Sequence, residues 1–308
     1  MNTNDRNGSP AILRAAALGL LAAAVAGPLC AAPAGDAAPL VDLAAVDWIH
    51  GAEDCDAAVA APDHVEWQQV RYQADTWILR QDKCANYEGP FVYLFVGTEQ
   101  ALMIDTGATE AGGEPLLRAV RAITELPLIV AHSHGHGDHH AGDEAFAEAD
   151  DVRLVGTGKT AVEAFYGFED WPNRPLVLEL GGRGIEILPI PGHADDDLAY
   201  YDPVSRFVVT GDTLYPGRLY ITDWPQYQAS VARLAEWAGA KPVSHVMGTH
   251  IEMTSAPDVD YPIGTTYQPD EHVLPLAPAD IATLAEAAAA MDVPERTWLG
   301  SFVIWPRS

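Results

Sequence analysis

Short apolar runs separated by turn-forming residues dominate the chain from Val65 onward. Trp77-Ile78-Leu79, Phe91 to Val96 and Ala101 to Ile104 read as strands, the last two joined as a hairpin across Gly97-Thr98-Glu99-Gln100. Leu116, Val120 and Ile123 recur at helical spacing. Pro127 precedes a short buried strand, Leu128-Ile129-Val130, and a further strand is expected at 152–155, with a helix at 161–165. Strands follow at 176–180, 185–190, 198–201 and 207–210. Val231, Leu234, Ala235 and Ala238 mark one helical face, and 243–247 is another strand. The Pro-, Asp- and Thr-rich stretch 254–278 reads as a long loop, 279–291 as an Ala-rich helix and 298–305 as a last edge strand. Helices and strands interleave, yet several strands follow one another directly. That pattern favours layered α/β architecture with mixed sheets over a purely parallel sheet. No internal repeat and no second domain are visible.

Composition adds limits. The chain has 308 residues, 48% of them hydrophobic, so a sizeable core forms and wholesale disorder is excluded. A net charge of -27 repels phosphate backbones, which makes nucleic acid a poor partner, and it says little else. Residues 1–34 read as an export signal. Arg6 and Arg14 precede an Ala- and Leu-rich run, 15–26, too short to span a bilayer, and Ala32-Pro33-Ala34 offers a cleavage site. The expected location is periplasmic or secreted. Cys30 admits a lipid anchor, but Gly27-Pro28-Leu29 is a poor lead-in, so soluble export ranks first and an uncleaved tail last. No later segment suits stable membrane insertion. Residues 35–62 read as a linker or loosely packed arm, and 63–308 as the functional domain. Cys55 and Cys84 remain after cleavage. In an oxidising compartment they form either one disulfide or two unpaired thiols, and spacing does not choose between these.

The chemistry concentrates in Ala131-His132-Ser133-His134-Gly135-His136-Gly137-Asp138-His139-His140, just after a predicted strand. Gly135 and Gly137 are expected to let the backbone fold tightly so that neighbouring side chains converge. Imidazole and carboxylate without thiolate suit zinc and also admit manganese or iron. The competing reading is a solvated, tag-like histidine stretch. Three more candidates argue against it, because each follows a predicted strand and a glycine: Gly192-His193, Gly211-Asp212 and Gly248-Thr249-His250.

This set resembles the metallo-β-lactamase superfamily, whose His-x-His-x-Asp-His signature is similar to His134-Gly-His136-Gly-Asp138-His139. Ile104-Asp105-Thr106-Gly107, His193, Asp212 and His250 match the family's other stations in order, over about residues 65–255. The resemblance implies a four-layer αββα sandwich with two divalent metal ions, zinc first, at one edge of facing sheets. It implies that His134, His136 and His193 hold one metal, that Asp138, His139 and His250 hold the other, and that Asp212 bridges them. A water shared by two cations would be the nucleophile, oriented by Asp138. Asp105 corresponds to a structural carboxylate that supports the ligand loops.

An Asp at the bridging station implies a hydrolase acting on an ester, lactone, thioester or amide carbonyl of a small-molecule substrate rather than a true β-lactamase. β-Lactam hydrolysis, a mononuclear iron sulfur dioxygenase and a non-catalytic metal-binding module are the alternatives. Glutathione thioesters fit less well, because no basic cluster is visible in the C-terminal part. Tyr215, three residues after Asp212, matches a tyrosine that binds the substrate oxygen in lactone-hydrolysing members, and equally reads as a packing residue. Tyr220, Trp224 and Tyr267 are aromatic wall candidates. His132 and His140 lie outside the signature register, His245 reads as a core residue, and His50, His64 and His272 carry no motif.

Overall fold

The computed structural model describes residues 40–307. The 1–34 segment read as an export signal, Cys30 included, lies outside the described residues. A 3-10 turn at Leu43–Ala45 and α1 (Cys55–Val59) lead into β1 (Trp67–Gln73), β2 (Thr76–Gln81), β3 (Phe91–Val96) and β4 (Ala101–Ile104). Next come α2 (Gly113–Ile123), β5 (Leu128–Ala131), α3 (Gly137–His140), α4 (Asp143–Ala147), β6 (Val152–Leu154) and α5 (Lys159–Tyr166). Then follow β7 (Leu176–Glu179), β8 (Gly184–Pro189), β9 (Leu198–Asp202), β10 (Phe207–Gly211), β11 (Arg218–Ile221) and α6 (Trp224–Gly239). The chain closes with β12 (His245–Gly248), β13 (Pro275–Leu276), α7 (Pro278–Ala289), β14 (Thr297–Trp298) and β15 (Val303–Pro306).

The strands form a six-stranded sheet β1-β2-β3-β4-β5-β6, a second six-stranded sheet β13-β12-β10-β9-β8-β7, and a small sheet β11-β15-β14. Strand alternation assembles the layers. Phe91, Tyr93 and Phe95 of β3 meet Leu198, Tyr200 and Phe207 of the other sheet in one core. Val92 and Leu94 turn outward beneath Leu116, Ala119 and Val120 of α2. Ala199 and Tyr201 turn outward beneath Val231 and Leu234 of α6 and Ile281 and Leu284 of α7. The result is the αββα order. Because both faces of the inner strands are covered, β3 and β9 read as continuous apolar runs rather than alternating ones. Each fully buried aromatic contributes roughly 1.5–3 kcal/mol through area removed from water.

Three details differ from the sequence reading. The expected single strand at 298–305 is two short antiparallel strands, β14 and β15, separated by a turn in which Gly300 takes φ 77. β11, which the pattern did not announce, pairs in parallel with β15. The arm is anchored over its described part: Leu43 and Trp48 are buried in the inter-sheet core, and Trp48 lies edge-on to Phe91 with ring centroids 5.1 Å apart. Cys55 and Cys84 are joined in a disulfide across a sequence separation of 29, which ties this arm to the loop after β2. Closing a loop of that length stabilises the fold by about 3–4 kcal/mol in the chain-entropy picture. Among the described residues no helix is long and apolar enough to cross a membrane.

Candidate metal centre

Every candidate ligand sits just beyond the C-terminal end of a strand. His134 and His136 follow β5, and Asp138 and His139 ride on the short α3. His193, Asp212 and His250 follow β8, β10 and β12. β10 and β12 are parallel, and β9 runs antiparallel to both β8 and β10, so these three strand ends point the same way. Leu198 N–H donates to Ser133 O at 2.9 Å, and Phe91 N–H donates to Thr249 O at 2.8 Å. These bonds stitch the two sheets together at the ligand edge. Gly211 takes φ 54, and a Cβ there would stand 2.7 Å from Ser133 Cβ. Only glycine fits that approach, which explains the strand-glycine-ligand pattern at Asp212. The reason expected for the signature glycines holds less evenly. A Cβ at Gly135 would meet Asp196 at 2.7 Å, but nothing lies within 4 Å of one at Gly137.

The seven residues fall into two donor sets, His134, His136 and His193, and Asp138, His139, Asp212 and His250, with ligand atoms in each set within 4.8 Å of one another. His134 Nε2, His136 Nδ1 and His193 Nε2 form a triangle with sides of 2.9, 2.9 and 3.1 Å. In the second set His139 Nε2 and His250 Nε2 are 3.2 Å apart, and each is 3.4 Å from Asp138 Oδ2. Asp212 Oδ2 lies 3.7 Å from His193 Nε2 and 3.6 Å from His139 Nε2, between the sets, while Asp212 Oδ1 is 3.5 Å from His250 Nε2.

The outer hydrogen bonds test whether these atoms suit a metal. His193 Nδ1 donates to Tyr220 O at 2.6 Å, and His250 Nδ1 donates to Glu88 O at 3.2 Å. His139 Nδ1 donates to Asp105 Oδ2 at 2.9 Å. Ser133 Oγ donates to Asp105 Oδ2 at 2.9 Å, which leaves it to accept from His134 Nδ1 at 3.1 Å. Each of these rings therefore turns its Nε2 inward, as a bare lone pair at His134 and His193. Lone pairs about 3 Å apart repel unless something electropositive lies among them, and such a triangle lets one cation reach all three at the usual zinc–nitrogen distance of about 2.0–2.1 Å. The donor chemistry fits a divalent metal pair.

Electrostatics separates the two sets. Burial, reinforced by His139 and His193, holds the His134 imidazole well below its ordinary pKa, and burial brings His193 down to about 4. Both are neutral and ready to ligate. Burial also opposes charge on His250, but the Asp212 carboxylate and the Asp138 hydrogen bond outweigh it and raise that ring to about 9. At His139 burial is likewise outweighed, by Asp138, Asp212 and Asp105. A metal entering the second set must therefore displace protons. We expect metal binding there to release protons at pH 7 and to strengthen as pH rises toward about 9, while His134 and His193 of the first set give up none at pH 7. Calorimetric titration in buffers of different ionisation enthalpy measures this; equal proton release at both sets would contradict it.

Several supporting residues escaped the sequence reading. Asp196 accepts from Gly135 N–H at 3.1 Å and Gly158 N–H at 2.6 Å, and Asp197 accepts from His193 N–H at 3.0 Å. The acidic run Asp195-Asp196-Asp197 right after His193 was the available signal. Thr249 Oγ1 donates to Asp212 Oδ1 at 2.6 Å, fixing its direction. The braces from Tyr220 and Glu88 are backbone carbonyls and leave no sequence trace. Asp105, fully buried at φ 70, holds Ser133 N–H at 2.6 Å as well as the two bonds above, as its expected supporting part requires. Tyr215 is 1% exposed, with its hydroxyl against Arg218 O at 2.5 Å and Glu252 Oε2 at 2.9 Å. That hydroxyl is engaged inside the protein. Trp224 is buried, and Tyr220 is half-buried. Tyr267 pairs with the arm through the bridge Gly51–Tyr267. His132 is buried 3.3 Å from Asp143, and His245 packs edge-on to Tyr72 and Phe207.

This architecture and donor arrangement define a class, and sequence comparison agrees. Residues 86–269 match the family model for the metallo-beta-lactamase superfamily, and the chain belongs to that superfamily. It is 30% identical over 124 residues to a hydroxyacylglutathione hydrolase of Mesorhizobium japonicum, covering 39% of this chain and 48% of that one. It is 28% identical over 166 residues to a hydroxyacylglutathione hydrolase of Chromohalobacter salexigens, covering 52% and 56%. The chain thus spans about half the length of the curated relatives it matches. Among solved structures it is similar to a metallo-beta-lactamase from Pontibacter korlensis, at 18% identity and TM-score 0.53, covering 73% of this chain and 100% of that one. A metallo-beta-lactamase from Erythrobacter litoralis aligns at 15% identity and TM-score 0.50, covering 73% and 97%. At such identities these structures speak for the fold alone.

Proposed function

We propose that this protein is a dimetal hydrolase that cleaves the acyl bond of a small thioester, ester or lactone. The observation that carries the reading is Asp212, whose carboxylate lies between two complete donor sets. His134, His136 and His193 would hold one ion, and Asp138, His139 and His250 the other, with Asp212 shared. Two divalent ions at these donors would supply an acidified water and a Lewis acid for the carbonyl oxygen. The chain's own residues do the rest. Asp138, with one oxygen 3.4 Å from both His139 and His250, would orient the attacking water as well as hold its ion. Asp105, Ser133, Thr249 and Asp197 keep the ligands aimed. Tyr215 is a positioning residue that packs against His250 with ring centroids 5.8 Å apart.

The relatives named hydroxyacylglutathione hydrolases favour a thioester among these substrates. Glutathione itself fits poorly. Two cations near the site are buried and engaged: Lys83 on the carbonyls of Tyr87 and Glu88, and Arg218 on Glu252 and Asp260. With a net charge of -27 on the chain, a dianionic substrate meets repulsion overall. A neutral acyl thioester or lactone is the better fit. The second donor set, with its own two histidines and carboxylate, supports hydrolysis over mononuclear iron oxygenation.

The test is a panel of neutral thioesters, glutathione thioesters, lactones, phosphodiesters and β-lactams, run on zinc-, manganese- and iron-reconstituted protein with metal analysis of the same sample. We expect two equivalents of metal and turnover of neutral thioesters or lactones ahead of the rest. Turnover confined to β-lactams, or oxygen consumption with a persulfide, would replace this reading. Metal uptake with no turnover of any compound would leave a binding module.

A further inference from the structure

Behind His250 the buried side-chain charges do not cancel. Arg80, near the end of β2, is fully buried and donates to both oxygens of Glu271 at 2.6 Å. Lys83, two residues past β2, is 2% exposed, and its ammonium stands 3.7 Å from the same carboxylate. Two cations thus share one anion. The Lys83 ammonium also donates to Tyr87 O at 3.1 Å and to Glu88 O at 3.4 Å. Glu88 O in turn accepts from His250 Nδ1 at 3.2 Å. One carbonyl oxygen therefore joins a buried ammonium to a ring of the second donor set. The loop is shaped around this side chain. Gly89 takes φ 49, and a Cβ there would come within 2.6 Å of Lys83 Cγ.

Taking an ammonium out of water is costly, and a neutral amide could hold two loop carbonyls as well. What the ammonium adds is charge. Burial and the neighbouring Arg80 bring Lys83 down to about 8, while Glu271, Glu252 and Glu88 act against them. Lys83 is therefore charged at pH 7. Its field opposes a second cation at His250. Its hydrogen bond also draws electron density from the Glu88 carbonyl, so that oxygen supports the His250 ring less strongly as a donor. Both effects leave an ion held there more electron-poor.

We propose that Lys83 is a positioning residue whose charge, acting through the Glu88 carbonyl and His250, weakens cation binding at the second donor set and makes the attacking water more acidic. The proposal rests on the dimetal reading above. It assigns a role in the reaction to a side chain that touches neither substrate nor metal.

The experiment compares the zinc-reconstituted full chain with Lys83→Met and Lys83→Gln. Both variants remove the charge, and glutamine keeps a donor for the loop carbonyls. A unit charge about 9 Å away, at an effective dielectric of about 20, moves an ionisation by about one pH unit. We expect the acidic limb of kcat/KM to move up by about that much in both variants. A divalent ion gains twice what a competing proton gains from the lost repulsion, so the second zinc equivalent should bind about tenfold more tightly in both. Competition with a chelator measures this without turnover. Loss of a merely structural anchor would act the other way, loosening zinc and leaving the limb in place. Zinc bound more weakly in both variants, an unmoved limb, or a Lys83→Gln protein that behaves as wild type overturns the proposal. Tighter zinc in both variants, in a protein that hydrolyses no acyl compound, overturns the parent reading alone.

Discussion

Replacing Asp212 with alanine is expected to lower acyl hydrolysis by roughly a thousandfold or more and to reduce bound metal from two equivalents to about one. The comparison that sets this scale is the loss of a residue that only supports a ligand, which typically costs about 10–100-fold. Asp212 does more than support. Its two oxygens face His134, His139, His193 and His250 at 3.5–4.0 Å, so no other side chain substitutes for it at the boundary of the two sets. Burial alone would push its carboxyl toward neutrality, yet His250 and His139 hold it well below the usual carboxylate range. It is an anion in the interior, matched to cations. Asp212→Asn keeps the shape and the bond from Thr249 but removes the charge, so it should resemble the alanine variant in activity and lose metal less completely. Metal analysis beside steady-state kinetics checks both. Two full equivalents and unchanged turnover in Asp212→Ala would sink the dimetal reading.

The second large effect is expected at Asp105, which touches no substrate. Asp105→Ala would strand the Ser133 N–H, the Ser133 hydroxyl and the His139 Nδ1–H in a fully buried pocket. Breaking such a buried charged cluster from one side costs about 3–5 kcal/mol. Alanine is also poorly suited to the positive φ of 70 that Asp105 adopts, a conformation that Asp tolerates through local hydrogen bonds. The same loss frees the His139 and His134 rings, because both are aimed through this carboxylate, directly and through Ser133. Denaturant midpoints with and without zinc should therefore both fall, and metal affinity should weaken by about 10–100-fold. Asp105→Asn is the informative companion. It keeps one acceptor but sets an amide donor against an N–H or O–H, so it should lie between wild type and alanine. A stable Asp105→Ala protein with normal metal affinity would show that the ligand loops are held by other means.

Reading and structure agree where the signal is local. Leu128–Ala131 followed by five histidines and an aspartate announces a strand and then a ligand loop, because burial on both faces writes a continuous apolar run and because metal chemistry needs imidazole and carboxylate close together. The strand-glycine-ligand repeats at His193, Asp212 and His250 are local in the same sense. Failures occur where the deciding contact is distant in sequence. β11 is short, and its partner β15 lies more than eighty positions away, so no pattern in Arg218–Ile221 announced it. Spacing left two roles open for Tyr215, and a distant residue, Glu252, meets its hydroxyl inside the protein. Spacing places a side chain near a site; only packing decides which way its polar end faces.

The sequence by itself determined the layered α/β class, the seven donor residues and the hydrolytic character of their combination, since these depend on residue type and short-range order. The tertiary structure alone decided which of them hold protons. It leaves His134 and His193 neutral and His139 and His250 proton-holding, because burial and three carboxylates act across the gap between the sheets. It also decided how the second set is braced: His250 Nδ1 meets the carbonyl of Glu88 on a loop tied by the Cys55–Cys84 disulfide, a connection written in the fold and not in the order of side chains.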